Sequence, residues 1–128
     1  SAGPSIGVAR GVCRNPNTPT ELLCRIASGP DRYLRRLVAS NPSLPADVID
    51  DLSSDSDEQV RKNVTANPAL QDEQMEKLAC DTNSGVRRRV ARRADLPQHA
   101  AQLLAQDPDE RVRVIAARRR TFASGWQN

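Results

Sequence analysis

The arginines of this chain are the residues best suited to binding a ligand, and the ligand that they suit is an anion. Residues 87–93 read RRRVARR, with arginine at five of the seven positions, and three more arginines stand at positions 118–120. A guanidinium donates paired hydrogen bonds to a phosphate or a carboxylate, so it suits a nucleic-acid backbone or an acidic protein surface. The candidate partner-binding basic patch comprises Arg87, Arg88, Arg92, Arg93, Arg118, Arg119 and Arg120.

Catalysis and metal binding have little support in the rest of the chain. His99 is the only histidine, and no hydrolytic triad can be assembled around it, so it is expected at the surface. The three cysteines, Cys13, Cys24 and Cys80, lack CxxC spacing and are odd in number, which favours reduced thiols. Glycine-rich phosphate loops are absent from the sequence. The sequence predicts a non-enzymatic protein with no catalytic residue, metal or cofactor.

The charges are distributed unevenly along the 128 residues. Residues 81–128 contain ten basic and five acidic residues, against nine and eleven in residues 1–80. Aromatic residues make up only 2% of the chain, which argues against base stacking on single-stranded nucleic acid. No apolar run approaches the ~20 residues of a membrane span, and no leader is recognisable. We expect a cytoplasmic protein without a membrane partner.

The sequence pattern that surrounds the arginines repeats with a period of 26 residues. The repeat is marked by Asn15-Pro16, Asn41-Pro42 and Asn67-Pro68. Four apolar columns keep this step: Val8, Leu34, Val60, Val86 and Val112; Val12, Val38, Val64, Val90 and Ala116; Ile26, Leu52, Leu78 and Leu104; and Leu44, Leu70 and Leu96. Each repeat holds two helices too short to be stable alone, so each must bury its apolar stripe against its neighbours. The period predicts an all-α solenoid in which the loop leucines are buried.

Capping signals predict the helix ends within a repeat. Asp55 and Glu58 form a capping-box pattern at the start of a first helix, and Thr18-Pro19-Thr20-Glu21 forms another at the start of a second helix. The first helix is expected to end at Asn67-Pro68, because asparagine tolerates the left-handed conformation and proline cannot continue the helix. The asparagine column is expected to hydrogen-bond this turn.

Two segments of the repeat resemble a known family. Residues 60–68 read VRKNVTANP, and residues 41–52 read NPSLPADVIDDL. Over about residues 8–119 this unit resembles the leucine-rich repeat variant family, whose members are bacterial and HEAT-like. The resemblance implies a right-handed solenoid in which α-helices alternate with 3₁₀-like helices, and it implies no established activity. The units here are slightly longer than the usual repeat, so the second helix is expected as either α or 3₁₀.

One cofactor of that family is not carried over to this chain. Family members can hold an iron–sulfur centre in an N-terminal cysteine cluster, but Cys13, Cys24 and Cys80 lack the corresponding spacing. In the repeat frame, Cys13 falls at a buried position and Cys24 at an exposed one. Both cysteines are interpreted as structural or incidental.

The arginines also follow the repeat and leave two interpretations open. Arg35, Arg61, Arg87 and Arg113 form one column, and Arg10, Arg36, Lys62 and Arg88 form the next. Such ladders could track a phosphate backbone. Alternatively they form a solvated, self-neutralised helix face, because Asp31, Asp57 and Asp109 each precede an arginine by four residues, a favourable helical spacing.

The unit at residues 81–93 departs from this pattern. Asn83 stands where aspartate is expected, Ser84 stands where Glu58 and Glu110 stand, and Arg93-Ala94 replaces Asn-Pro. The loss of local acids singles out the C-terminal arginines as the candidate patch.

The domain organisation and the function follow as expectations. Residues 1–7 are predicted as an N-terminal extension, 8–120 as one solenoid domain of about four and a half repeats, and 121–128 as a tail that could cap it. The chain is expected to be a segment of a longer protein. The predicted function is a scaffold that binds a protein or peptide, an acidic one in particular. The alternative is sequence-tolerant binding of a nucleic-acid backbone through the arginine patch.

Overall fold

The described part of the chain is built from α-helices. The computed structural model describes the backbone of residues 6–127 and the side chains of residues 7–118. Its helices are α1 (Ile6–Arg14), α2 (Thr20–Ala27), α3 (Arg32–Val38), α4 (Ala46–Leu52), α5 (Glu58–Val64), α6 (Asp72–Leu78), α7 (Ser84–Ala91), α8 (Gln98–Leu104) and α9 (Glu110–Gln127). No strand occurs between residues 6 and 127, which confirms an all-α fold. The second helices of the predicted pairs, α2, α4, α6 and α8, are α rather than 3₁₀.

The chain forms two compact units, residues 1–71 and residues 72–128, which are described separately. The first unit contains α1–α5, where α3 packs against α1, α2 and α5. The second contains α6–α9, where α7 and α9 pack against each other and both contact α8. In the described residues, no helix has both the length and the apolar character that a bilayer crossing requires.

The predicted apolar columns form the core of each unit. The most completely buried members are Val38, Leu52, Val60 and Val64 in the first unit and Leu78, Val86, Val90, Leu104 and Val112 in the second. The loop leucines Leu44, Leu70 and Leu96 are also buried, as predicted. Val8 departs from its column, because it is 56% exposed, and Val12, Ile26 and Leu34 are only partly buried. The four columns therefore identify most of the large buried side chains, although Leu23, Ile49 and Met75 are fully buried outside them.

The first helices are capped two residues later than predicted. Asp57, not Asp55, caps α5 by accepting a hydrogen bond from the backbone N–H of Val60. Asp55 instead accepts from the backbone N–H of Asp57, at 2.9 Å from its Oδ1. Asn83 caps α7 in the same way, accepting from the N–H of Val86. The asparagine at position 83 thus preserves the cap while removing the charge.

Buried asparagines join successive helical pairs in the first unit. The Asn67 amide donates from Nδ2 to the carbonyls of Ala39 and Asn41, and its Oδ1 accepts from the N–H of Ala69. Asn41 makes the same set of bonds one 26-residue step earlier, to the carbonyls of Cys13 and Asn15. The predicted turn hydrogen bond is confirmed. The expected left-handed conformation is wrong, because no described residue has a positive φ.

Helix α9 extends through most of the segment predicted as a tail. Its backbone is helical from Glu110 to Gln127, well beyond the predicted domain end at residue 120. The side chains from residue 119 onward, including those of Arg119 and Arg120, lie outside the described residues. The predictions of a single domain over 8–120 and of a capping tail stay predictions.

Candidate anion-binding site on helices α7 and α9

One arginine column is used to hold the helices together. In the first unit, the Arg35 guanidinium forms a bidentate ion pair with Asp55, with Nε 2.8 Å from Oδ2, and donates from Nη1 to the carbonyl of Gly29. The corresponding arginine of the second unit, Arg87, forms the same pair with Asp107 at 2.7 Å and donates to the carbonyl of Asp81. Burial of this pair is deep, with side-chain exposures of 13% and 4%. Arg87 therefore has its donors occupied within the fold.

The predicted pairing of these arginines with the acid four residues earlier is wrong. Asp31 uses its carboxylate to cap α3 by accepting from the backbone N–H groups of Tyr33 and Leu34. Arg113 donates to the carbonyls of Asp107 and Pro108 rather than to the carboxylate of Asp109. Each acid at this position faces the open N–H groups of its own helix, which compete with the arginine one turn away.

In the second column, Arg36 of the first unit is neutralised by an acid. The Arg36 guanidinium forms a bidentate pair with Asp57, with Nε 2.6 Å from Oδ2. This hydrogen-bonded pair is the main reason that the pKa of Asp57 falls from 3.8 to about 2. The attraction of the Arg36 charge and the cap bond from Val60 lower it further. Arg36 also lies over the ring of Tyr33, with 5.0 Å between its Cζ and the ring centroid.

Acid should therefore weaken the first unit through Asp57. A carboxylate with a lowered pKa stabilises the fold fully above its unfolded pKa, near 3.8, and loses that contribution as the pH falls toward about 2. We expect the free energy of unfolding to drop by about 1 kcal/mol across this window, discounted because the pair lies near the surface. Urea unfolding of wild type and R36M between pH 5 and pH 2 measures the effect, and the gap between them should shrink with acid. A gap that stays constant would contradict the assignment.

Arg88 occupies the equivalent place in the second unit but lacks the equivalent bond. The corresponding acid is Asp109, whose carboxylate accepts from the backbone N–H of Arg111 at 2.8 Å and is hydrogen-bonded by the Ser84 side chain. These two bonds lower the pKa of Asp109, and the bond from the Arg111 N–H contributes most. Among the described side chains, none forms an ion pair with Arg88. The change from glutamate to Ser84 at the start of α7 thus supplies a competitor for Asp109.

Two further patch arginines are exposed, at positions related by the 26-residue step. Arg92 is the C-cap residue of α7, and Arg118 lies on α9. At the same step the first unit has Arg14, Ser40 and Ala66, so it carries one such charge, on α1, where the second unit carries two. Arg88 and Arg92 lie one helical turn apart and therefore share a face.

The remaining patch residues differ in their availability. Arg93 forms a bidentate pair with Asp95, with Nη2 2.8 Å from Oδ2, and its side chain is only 12% exposed. It stands where Asn41 and Asn67 make their bridging bonds, so it too occupies a structural corner. The side chains of Arg119 and Arg120 lie outside the described part of the chain.

Two residues outside the predicted patch belong beside it. Arg89 is exposed on α7, at the step where the first unit has Asn63 donating to the carbonyl of Arg36. Val114 is 41% exposed on α9, 26 residues after Arg88. In the sequence, Val114 differs from the rest of its column, because the other members are all basic: Arg10, Arg36, Lys62 and Arg88.

The other candidate residues do not assemble into a site. Cys13 is buried, as predicted, and burial raises the pKa of its thiol; Cys24 is only partly exposed and Cys80 is exposed. His99 is at the surface as expected, with Nδ1 3.6 Å from a carboxylate oxygen of Glu76. No cluster of three potential metal ligands occurs among the side chains that the structure describes. The residues that remain for chemistry are therefore the exposed arginines of α7 and α9.

Comparisons of the chain with models of protein families, with curated protein sequences and with solved structures find no match.

Proposed function

We propose that the chain is a right-handed α-solenoid of 26-residue repeats that acts as a non-enzymatic scaffold and binds an acidic protein partner. Arg88, Arg89, Arg92 and Arg118 form the contact surface, which we call the basic face. The observation that carries the proposal is the contrast between equivalent arginines. Arg36 is neutralised by Asp57, whereas Asp109 is engaged by Ser84 and Arg111, which leaves Arg88 to solvent and partners.

The repeat is supported by bonds that recur at constant spacing. The Arg35–Asp55 and Arg87–Asp107 pairs each span 20 residues, and the bridging bonds of Asn41 and Asn67 each span 26. A repeat stack offers an extended surface on which exposed side chains recur in register. The free thiols of Cys13, Cys24 and Cys80 favour a reducing compartment, so we propose the cytoplasm, and the family resemblance favours a bacterial source.

A protein partner is favoured over a nucleic acid by the composition of the face. Arginine serves either ligand, and its fit to phosphate is what supports the nucleic-acid alternative. A backbone-tracking surface gains from many cations, because each neutralised phosphate releases counterions. Here the first arginine column is occupied by internal carboxylates at Arg35 and Arg87, so the fold withdraws cations that such a surface would use.

Charge reversal of the basic face tests the proposal. We expect R88E/R92E to lose the partner that the wild-type protein captures from a nuclease-treated bacterial lysate, because like charges then oppose the acidic surface. R10E/R14E is the matched control, since Arg10 and Arg14 are exposed, lie one turn apart on α1, and change the net charge equally. Captured proteins are identified by mass spectrometry and their affinity is measured with purified components.

Two results would overturn the proposed function. One is equal capture by R88E/R92E and by the wild-type protein. The other is duplex DNA or RNA binding that depends on Arg88 and Arg92 and weakens steeply with salt, while no protein is retained after nuclease treatment.

A further inference from the structure

We infer that the basic face recognises an acidic peptide that also carries an apolar side chain, and that this side chain packs against Val114. The inference rests on the proposed function and names the chemistry of its partner. It arises from the exposure of a branched apolar residue, 41% exposed, on the surface that carries Arg88, Arg92 and Arg118.

Helical phase places these four residues on one surface. Val86 and Val90 of α7 are fully buried, and so are Val112 and Ala116 of α9. Residues two positions after each of these lie about 200° around the helix, on the side away from the core. Arg88 and Arg92 therefore project from the outer side of α7, and Val114 and Arg118 project from the outer side of α9.

The two helices begin side by side, which aligns their outer faces. Ser84, the first residue of α7, is hydrogen-bonded to Asp109, which directly precedes α9. The Arg87–Asp107 pair ties the same two ends together. Helices in contact are about 8–10 Å apart, so Val114 lies beside Arg88 and Arg118 lies beside Arg92 at roughly that spacing.

An apolar residue within this arrangement selects the class of ligand. A sugar–phosphate backbone offers little apolar surface to cover Val114, and covering it with charged groups would bring no hydrophobic gain. A peptide can place one branched aliphatic side chain on Val114 and carboxylates on the flanking guanidiniums. Arginine is enriched at the energetically important positions of protein interfaces.

The charges on the face also determine where the acidic side chains of the peptide bind. Glu110 is exposed and lies one turn before Val114 on α9, at the end of the face opposite to Arg118. Repulsion from Glu110 disfavours ligand carboxylates at that end. We therefore place the acidic side chains toward Arg92 and Arg118, at the C-terminal ends of the described face.

The test uses three fluorescein-labelled probe peptides and the full chain. Each peptide is a run of glutamates with a central leucine, a central serine or a central glutamate. We expect the leucine peptide to bind about fivefold more tightly than the serine peptide, which corresponds to covering roughly 40 Å² of apolar surface. In V114T, which keeps the shape of the side chain, this preference should disappear. R88E/R92E should weaken every peptide about tenfold or more, and R10E/R14E should weaken none.

Each outcome separates this inference from the proposed function. Equal binding of the leucine and serine peptides would overturn the apolar contact with Val114. A leucine preference that persists in V114T would overturn it as well. If that binding still depends on Arg88 and Arg92, the proposed protein-binding function stands. Peptide binding that R10E/R14E weakens as much as R88E/R92E overturns both. Because Val114, Arg10, Arg14 and Arg92 are exposed and Arg88 is only partly buried, circular dichroism should show unchanged helicity in every variant.

Discussion

Replacing Asn67 with alanine is expected to lower the free energy of unfolding by about 3 kcal/mol, because the substitution strands buried backbone groups. The Asn67 side chain is fully buried, donates to the carbonyls of Ala39 and Asn41, and accepts from the N–H of Ala69. Alanine removes all three bonds and leaves the two carbonyls and the N–H without the partner that the amide supplies. Urea unfolding followed by far-UV circular dichroism measures the loss.

Asn15 supplies the matched control for this prediction. It starts an earlier Asn-Pro corner and accepts a hydrogen bond from the N–H of Asn17, but the side chain is exposed. N15A should therefore cost less than about 1 kcal/mol, because water takes over the broken bond. Equal losses in N67A and N15A would show that the bridging bonds of Asn67 contribute nothing beyond a local turn.

A second substitution at position 67 identifies the donor as the important half of the amide. N67D keeps the shape and the acceptor but places a carboxylate against two carbonyl oxygens in a buried site. We expect a loss at pH 7 at least as large as that of N67A. The loss should diminish at acid pH, because the protonated form carries no charge and regains one donor.

The largest effect in the second unit is expected from R87M, which should lower the free energy of unfolding by about 3–5 kcal/mol. The methionine retains much of the aliphatic length but leaves the Asp107 carboxylate, 4% exposed, without its guanidinium. An uncompensated buried charge is the main cost, and the lost bond to the carbonyl of Asp81 adds to it. Thermal and urea unfolding of the variant measure this loss.

Two variants isolate the buried charge as the cause. R113M removes the arginine 26 residues later, which is exposed and donates to the carbonyls of Asp107 and Pro108. This variant should cost about 1 kcal/mol or less. R87M/D107N should recover a large part of the R87M loss, because asparagine still accepts from the N–H of Asp109 without a charge. A double variant as unstable as R87M would contradict the ion-pair explanation.

Most of the helical framework was predictable because it depends on local and periodic signals. Apolar residues at a constant step must share one side of the helices, and the burial of Val38, Val64 and Val90 follows from that. The N-terminal ends of α4 and α8 follow from Pro45 and Pro97, which immediately precede these helices. The caps were misplaced by two residues, since Asp55 and Asp57 are equivalent candidates until the helix phase decides which one faces the free N–H groups.

The amino-acid sequence by itself determined the helical class, the period and the identity of the buried columns, because these depend on the spacing of apolar residues along the chain. Only the tertiary structure decided which arginines are available. Arg35 and Arg87 pair with acids 20 residues away, across packed helices, and Arg88 loses its acid to Ser84 and the N–H of Arg111. Competition between donors for one carboxylate depends on distances in space, and sequence spacing alone does not contain them.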